Sequence, residues 1–316
     1  MGAMGECRLC QTYGQLRLSH IIPKFVFRLQ RERSVTPLRS HLIPDRPVQD
    51  SRKLYFLCNE CEERFSPWEN TFKREVYDPL HAGTLHSVRY GPWLLKFAVS
   101  LSWRALRATI ETGDPVPPGI KCAPATVDAE KVWRVFLLDK TPHTGEFSQY
   151  IFLLDTLART SDAIVPLNFA SYIHRVAAAG IWHDPGRGAL FSFSMLCSIA
   201  VIGVISVRNV HRWGERLHVR GGILQIGDRI PPPEVIGMIK AQANDHLRMS
   251  RELSERQKKL DRQALSDDEE EALQSGYLQT MAIDVARATK ADPQEVAKLS
   301  RAVLQATRKT TKRHWK

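Results

Sequence analysis

The apolar residues in the centre of the chain recur at helical spacing. Between Trp93 and Glu111 they follow the three- and four-residue steps of a helix that buries one face. Prolines interrupt the chain after this segment, and a second helix is expected from Val127 to Leu138. The apolar positions of the first helix are Leu94, Leu95, Ala98, Leu101, Leu106 and Ile110.

Three later segments, 147–154, 191–207 and 218–226, have the composition of β-strands. The stretch from Leu190 to Val207 contains no charged residue, and its length approaches the roughly 17–25 residues of a membrane-spanning helix. Its serines, its glycine and its many β-branched residues favour buried strand instead, either two strands or a strand with a short helix. A membrane-attached protein that uses this stretch is the less favoured alternative.

From about Asn244 the chain becomes charged and is expected to be helical. Helix starts are predicted at Ser266 and at Asp292, where an N-cap residue is followed three positions later by glutamate. Residues 287–316 hold nine Lys or Arg and two acidic residues, a local charge of +7. Such a tail either binds phosphates or is a solvated helix end.

The overall charge favours a phosphate-bearing partner. The chain has 316 residues, 43% of them hydrophobic, which is enough to bury a core, and its 45 Lys and Arg against 34 Asp and Glu give a formal charge of +11. Nucleic acid is the first expected partner, and an anionic membrane surface is the second. Six cysteines, four of them in close pairs, argue against a secreted disulfide framework and for a reducing, cytoplasmic location with bound metal. No signal peptide is visible.

Two Cys-x-x-Cys pairs, Cys7 with Cys10 and Cys58 with Cys61, are separated by 47 residues. Four thiolates in two pairs can close a tetrahedral zinc site, and such a site is structural because no coordination position remains for water. His20 lies between the pairs, and an imidazole can accept a proton near neutral pH. We therefore expect structural Zn²⁺ on the four cysteines and a catalytic role for His20, with a satisfied structural histidine as the competing interpretation.

Three short elements are predicted in this first part of the chain. An arginine-rich loop is expected from Arg28 to Arg52, followed by a strand from Leu54 to Leu57 that enters the second cysteine pair. A helix should begin at Ser66, where Ser-Pro-Trp-Glu combines an N-cap, a proline at the first helical position and a glutamate three residues later. Several arginines of the loop are expected to contact phosphates, namely Arg28, Arg31, Arg33, Arg39 and Arg46.

The order of these motifs resembles the HNH endonucleases. It consists of Cys-x-x-Cys, then Ser-His-Ile-Ile-Pro at residues 19–23, then Leu-Cys-x-x-Cys at residues 57–61. The resemblance covers the first quarter of the chain and implies a zinc-bound ββα-metal module, whose β-hairpin and helix grip a nucleic-acid backbone. It also implies DNA as the usual substrate and one catalytic Mg²⁺ or Mn²⁺ at the scissile phosphate. By the same resemblance His20 is the general base, and the zinc ligands are Cys7, Cys10, Cys58 and Cys61.

Three positions depart from the pattern of that family. The residue before the base is commonly an acidic metal ligand but is Ser19 here, and the residue after the last cysteine is commonly histidine or asparagine but is Glu62 here. Ser19 and Glu62 could form a swapped metal-binding pair, or Glu62 could be a surface glutamate. Asp50 is nearest to the place of the base-orienting asparagine, although Asp-Ser there also forms a simple turn. Glu69 is better explained by helix capping than by metal binding.

The expected protein is α+β and has three parts: an HNH-like zinc module (1–77), an α+β domain of unknown role (78–243) and a helical basic region (244–316). The expected function is hydrolysis of phosphodiester bonds in DNA, and by analogy the context is bacterial restriction or phage defence. RNA stays open as a substrate, residues 78–316 could bind a protein partner, and no membrane partner is expected. The alternative is a catalytically inactive zinc module that docks on nucleic acid or on a partner protein in a larger complex.

Overall fold

The chain forms two compact units whose segments alternate along the sequence. Unit 1 consists of Met1–Phe25, Ser51–Leu153 and Ala177–Glu234, and unit 2 consists of Val26–Asp50, Leu154–Val176 and Val235–Lys316. Helices combined with antiparallel sheets confirm the α+β class. The domain boundaries at residues 77 and 243 stay predictions, because compactness alone does not decide which segments fold independently. The structure, a computed structural model, describes residues 3–32, 52–112, 120, 123–159, 165–225, 230–267 and 276–290.

A three-stranded antiparallel sheet forms the N-terminal part of unit 1. Its strands are β1 (Ala3–Glu6), β2 (Tyr13–His20) and β3 (Lys53–Leu57), with β2 in the centre. The predicted strand at 54–57 is confirmed, whereas β1 was not expected. A register shift between Arg17 and Leu18 places both of these neighbouring side chains on the exposed side of the sheet.

One long helical segment follows this sheet. Helix α2 (Asn59–Phe72) continues through a π-helical turn (Lys73–Tyr77) into α3 (Asp78–His81). The predicted helix start at Ser66 is wrong, because the helix begins directly after Cys58 and Pro67 lies inside it. Proline costs a helix interior about 3 kcal/mol. Buried side chains at Cys61, Phe65 and Phe72 nevertheless keep helical spacing across this position, so packing outweighs the local capping motif.

The larger sheet of unit 1 has four antiparallel strands, β5 (Gln149–Leu153), β6 (Ala177–Asp184), β7 (Ala189–Leu196) and β8 (Ile199–Val207), which lie in the order β5-β8-β7-β6. Strands β7 and β8 form a hairpin whose turn residues, Cys197 and Ser198, both have positive φ (48° and 67°). The uncharged stretch is therefore two buried strands, as the sequence favours. Within the described ranges, every helix is too short or too polar to cross a bilayer.

Helix α4 (Pro92–Thr112) packs against the four-stranded sheet, and α5 (Pro124–Leu137) packs against α4. Both predicted helices are confirmed, each with a slightly earlier start. The contact between α4 and the sheet is close, because the Ser102 hydroxyl reaches Gln149 Oε1 at 2.7 Å. A Cβ at Gly203 would lie 2.6 Å from the Ser102 Cβ, so only glycine fits at that position.

A two-stranded ladder completes the sheets of unit 1. The short strand β4 (Ser87–Tyr90) pairs with β9 (Gly222–Gln225). The strand predicted at 218–226 is therefore present but shorter, since Gly221 has a φ of +113° and a Cβ there would collide with the Tyr90 carbonyl. A 3₁₀ turn (Val210–Trp213) lies between β8 and β9.

Unit 2 is helical in its described part. The Asp284 carboxylate accepts hydrogen bonds from the amides of Ala170 and Ser171, at 2.8 and 2.9 Å, and so joins α10 (Gly276–Thr289) to the start of α7 (Phe169–Arg175). The predicted helix start at Ser266 is wrong, because Ser266 lies in the last turn of α9. The predicted start at Asp292 and most of the basic tail lie outside the described residues. The helices are α6 (Asp155–Ala158), α7 (Phe169–Arg175), α8 (Pro233–Arg251), α9 (Glu255–Asp267) and α10 (Gly276–Thr289), with α1 (Lys24–Glu32) running into this unit from unit 1.

Candidate metal centre and histidine site

The first cysteine pair is held by a tight turn between β1 and β2. The Cys7 amide donates to the Thr12 carbonyl at 2.9 Å, and the Gln11 amide donates back to the Cys7 carbonyl at 2.8 Å. Gln11 has a φ of 66°, which turns the chain sharply after Cys10. This backbone shape directs both sulfur atoms of the pair to the same side, as a Cys-x-x-Cys metal ligand pair requires.

The second pair stands at the start of α2 and meets the first pair. The Sγ atoms of Cys7, Cys10, Cys58 and Cys61 all lie within 4.8 Å of one another, and none of these cysteines is in a disulfide. The Cys10 and Cys58 sulfurs are 3.8 Å apart. Tetrahedral zinc with Zn–S bonds of about 2.3 Å separates its sulfurs by about 3.8 Å, so the donor set fits the ion. The cluster can therefore hold a metal ion such as zinc, as the sequence predicts.

Hydrogen bonds and burial shift the pKa values of three of these thiols in different directions. A hydrogen bond from Cys61 lowers the pKa of Cys7, whereas the same bond together with burial raises the pKa of Cys61. Burial raises the pKa of Cys58, whose amide donates to the Cys7 sulfur at 3.3 Å. The Cys7 thiolate is thus stabilised by its neighbours. A bound cation would replace the protons of the other thiols, so metal binding is expected to release protons.

His20 is the last residue of β2 and lies outside the cysteine cluster. It pairs with Lys53, three residues along β2 from the Arg17–Leu57 pair beside Cys58. At about 3.3 Å per residue, this places its backbone about 10 Å further along the strand. His20 is half-buried, whereas the preceding Ser19 is fully buried, as expected for neighbours that point to opposite faces of a strand. The Ser19 hydroxyl donates to the Arg17 carbonyl at 3.5 Å.

A buried arginine that the sequence analysis missed holds the end of β2. Arg104, on α4, is 2% exposed, and its guanidinium donates to the His20 carbonyl at 3.0 Å and to Glu69 Oε1 at 2.7 Å. The guanidinium also lies over the Phe65 ring, 5.2 Å from its centroid. One side chain thus joins α4, α2 and the residue proposed as the base. Arg104 lies one helical turn after Ser100, on a buried face of α4. An arginine at helical spacing among buried positions is the sequence pattern that could have revealed it.

Glu62 lies in the first turn of α2, directly after Cys61. Its side chain is half-buried, and its Oε2 atom is inaccessible to solvent and has no hydrogen-bond donor among the described residues. A buried carboxylate oxygen without a donor is costly unless a cation or water satisfies it. Helix α2 packs against β2, on which Ser19 is buried. The oxygen of Glu62 therefore has the character of one ligand for a hard cation.

The remaining predicted site residues lie in an ion pair, in helix α1 or outside the described residues. Glu69 is not part of a capping box, since α2 begins ten residues earlier, and its carboxylate instead pairs with Arg104. Arg28 and Arg31 lie in helix α1 rather than in a loop, so that part of the loop prediction is wrong. Asp50 lies outside the described residues, as do Arg33, Arg39 and Arg46. Within the described ranges, the four cysteines form the only cluster of three or more potential metal ligands.

Comparisons of this chain with protein-family models, with curated proteins and with solved structures found no match. The function of this chain is therefore inferred from its residues and their geometry.

Proposed function

We propose that the protein is an HNH-type endonuclease that hydrolyses phosphodiester bonds of DNA. The observation that supports this most strongly is the order and packing of the N-terminal elements. An antiparallel strand pair, β2 and β3, is followed directly by helix α2, and the cysteine cluster joins the start of the pair to the start of the helix. His20 stands at the other end of β2, where its carbonyl is fixed by Arg104. This order of two antiparallel strands and a helix supports the ββα arrangement that the resemblance implies, and with it the proposal that His20 is the base.

In the proposed reaction, the His20 imidazole accepts a proton from a water molecule that attacks the phosphorus atom. The sugar oxygen on the other side of the phosphorus leaves, so that one P–O bond forms and one breaks. A bound Mg²⁺ or Mn²⁺ would stabilise the charge that develops on the phosphate and on the leaving oxygen. Glu62, which directly follows Cys61 in the first turn of α2, is the carboxylate that we propose as a ligand of that ion, and Ser19 is a neutral and weaker ligand. The zinc cluster is structural, because its four sulfurs fill the coordination sphere.

The test is cleavage of plasmid DNA by the purified full-length chain with Mg²⁺ or Mn²⁺. His20→Ala should lower the cleavage rate about 10²- to 10⁴-fold, the usual contribution of a general base. Glu62→Gln keeps the size of the side chain and removes its charge, so it should raise the metal concentration needed for half-maximal cleavage. His86→Ala is the matched control, because His86 is exposed and we assign it no role.

The result is interpretable only where each variant retains its zinc, which elemental analysis measures on the same preparations. If His20→Ala cleaves as fast as the wild type, His20 is not the base. If the wild type leaves plasmid intact with both metals, the nuclease proposal is wrong.

A second candidate function is a non-catalytic zinc module that docks on nucleic acid or on a partner protein. It is favoured by the distribution of potential metal ligands, since among the described residues only the four cysteines cluster. It predicts that the wild type and His20→Ala bind plasmid equally and cleave it with neither metal.

A further inference from the structure

The outer face of the N-terminal sheet exposes large apolar and aromatic side chains. Four of the twelve exposed large hydrophobic residues in the described part of the chain lie on this small sheet. Soluble proteins rarely group such residues on one face unless the face binds something. The four are Met4 (61% exposed), Tyr13 (71%), Leu18 (46%) and Tyr55 (46%), and together we call them the tyrosine face.

The strand register brings Tyr55 close to His20. Leu18 pairs with Tyr55, and His20 pairs with Lys53 two residues further along both strands. Residues two apart on a strand share a face, so His20, Lys53, Leu18 and Tyr55 lie on one side of the sheet. Diagonal neighbours of this kind are separated by about 7–8 Å. One nucleotide is long enough to place its base against Tyr55 and its phosphate at His20.

The charges around the tyrosine face suit an anionic ligand such as a nucleic acid. Arg17 is exposed beside Leu18, and its guanidinium donates to the Asn59 amide oxygen at 2.6 and 2.9 Å. That amide is neutral and orients the guanidinium, and its nitrogen in turn donates to the Glu63 carboxylate at 2.7 Å, so the nearest anion in this network is one amide away from Arg17. Lys53 adds a second cation next to His20. The one acidic residue of β1, Glu6, pairs with Tyr13 at the far end of the sheet from His20.

We propose that the tyrosine face binds unpaired bases, so that the ligand is a single strand or a duplex with locally unpaired nucleotides. Aromatic side chains stack on bases of any sequence, and neighbouring cations hold the backbone. Paired bases are stacked inside the duplex and present no ring face to Tyr55. The inference names the substrate class of the proposed nuclease, and for cleavage it rests on that proposed function. Binding itself does not depend on cleavage.

The experiment measures binding of the full-length zinc protein to fluorescent oligonucleotides without added divalent metal. The probes are a single-stranded DNA, the matching duplex, and the same duplex with a three-nucleotide bulge. The wild type should bind the single strand and the bulge more tightly than the duplex. Tyr55→Ala should weaken binding to those two probes about 5- to 150-fold, because stacking contributes about 1–3 kcal/mol per base. Tyr55→Phe keeps the ring and should bind like the wild type.

Ile223→Ala is the matched control, since Ile223 is 52% exposed on β9, outside this sheet. Its affinity for every probe should equal that of the wild type. If the wild type binds the single strand and the duplex with equal affinity, the inference is wrong. It is also wrong if Tyr55→Ala loses the same factor of affinity for the single strand and for the duplex. The two proposals can also fail separately. If the wild type never cleaves DNA but Tyr55→Ala loses single-strand binding, the tyrosine face is supported and the nuclease proposal is wrong.

Discussion

Removing the guanidinium of Arg104 should destabilise unit 1 strongly, and the structure sets the size of the effect. The side chains of Arg104 and Glu69 are 3% and 22% exposed and lie 2.7 Å apart. Breaking a buried ion pair by removing one partner costs about 3–5 kcal/mol. Because Glu69 keeps about a fifth of its surface in water, we expect Arg104→Met to lower the free energy of unfolding by about 3 kcal/mol. The His20 carbonyl loses its donor in the same variant.

A double-mutant cycle separates the ion pair from the other contacts of the arginine. Glu69→Met alone leaves the buried guanidinium without its counter-charge, so the double variant should be less destabilised than the sum of the two single variants, by about 1–3 kcal/mol. Urea unfolding followed by tryptophan fluorescence measures each free energy. Arg64→Met is the control, because its pair with Asp139 is largely exposed and should contribute at most about 1 kcal/mol. If the losses in the free energy of unfolding caused by Arg104→Met and Glu69→Met simply add in the double variant, the ion pair does not stabilise unit 1.

Three further outcomes are expected. Cys10→Ser should lower the zinc content of the purified protein well below one ion per chain, because three sulfurs and a poor oxygen ligand remain; full zinc occupancy would contradict the cluster. Gly203→Ala should destabilise unit 1 by about 1–3 kcal/mol in urea unfolding, since its Cβ would overlap the Ser102 side chain, whereas unchanged stability would mean that α4 can move away. Asp284→Ala should cost about 3–5 kcal/mol, because the largely buried Arg287 loses its counter-charge and two amides at the start of α7 lose their acceptor, and hydrogen exchange of those amides should accelerate. Exchange at wild-type rates would contradict that role.

The sequence predicts elements well where burial follows a simple period. Helix α4 and the hairpin from Leu190 to Val207 both have long apolar patterns, so their type and approximate bounds follow from the sequence. The four cysteines are also predictable as a group, since two Cys-x-x-Cys pairs that do not form disulfides usually bind a metal ion. The roles of His20 as the general base and of Glu62 as a metal ligand stay predictions.

Other features depend on contacts between residues that are distant in sequence. Ser66 begins a plausible capping motif, but α2 already starts at the second cysteine pair, and packing of Phe65 and Phe72 carries the helix past Pro67. The partners of Arg104 come from β2 and from α2, so its burial as a charged residue follows only from the assembled unit. Helix α1 has apolar residues at helical spacing, Phe25, Val26 and Leu29, and the prediction of a loop there rested on its arginines instead.

The ladder between β4 and β9 has a consequence for synthesis on the ribosome. Ser87 pairs with Gln225, so one partner strand emerges long after the other, and the intervening chain has to be made first. Contacts between such distant positions slow folding, since a large loop must close before the pairing is gained. A nascent chain that stalls before Gly222 would present β4 as an uncovered edge. Chaperone dependence during translation should therefore concentrate in that interval.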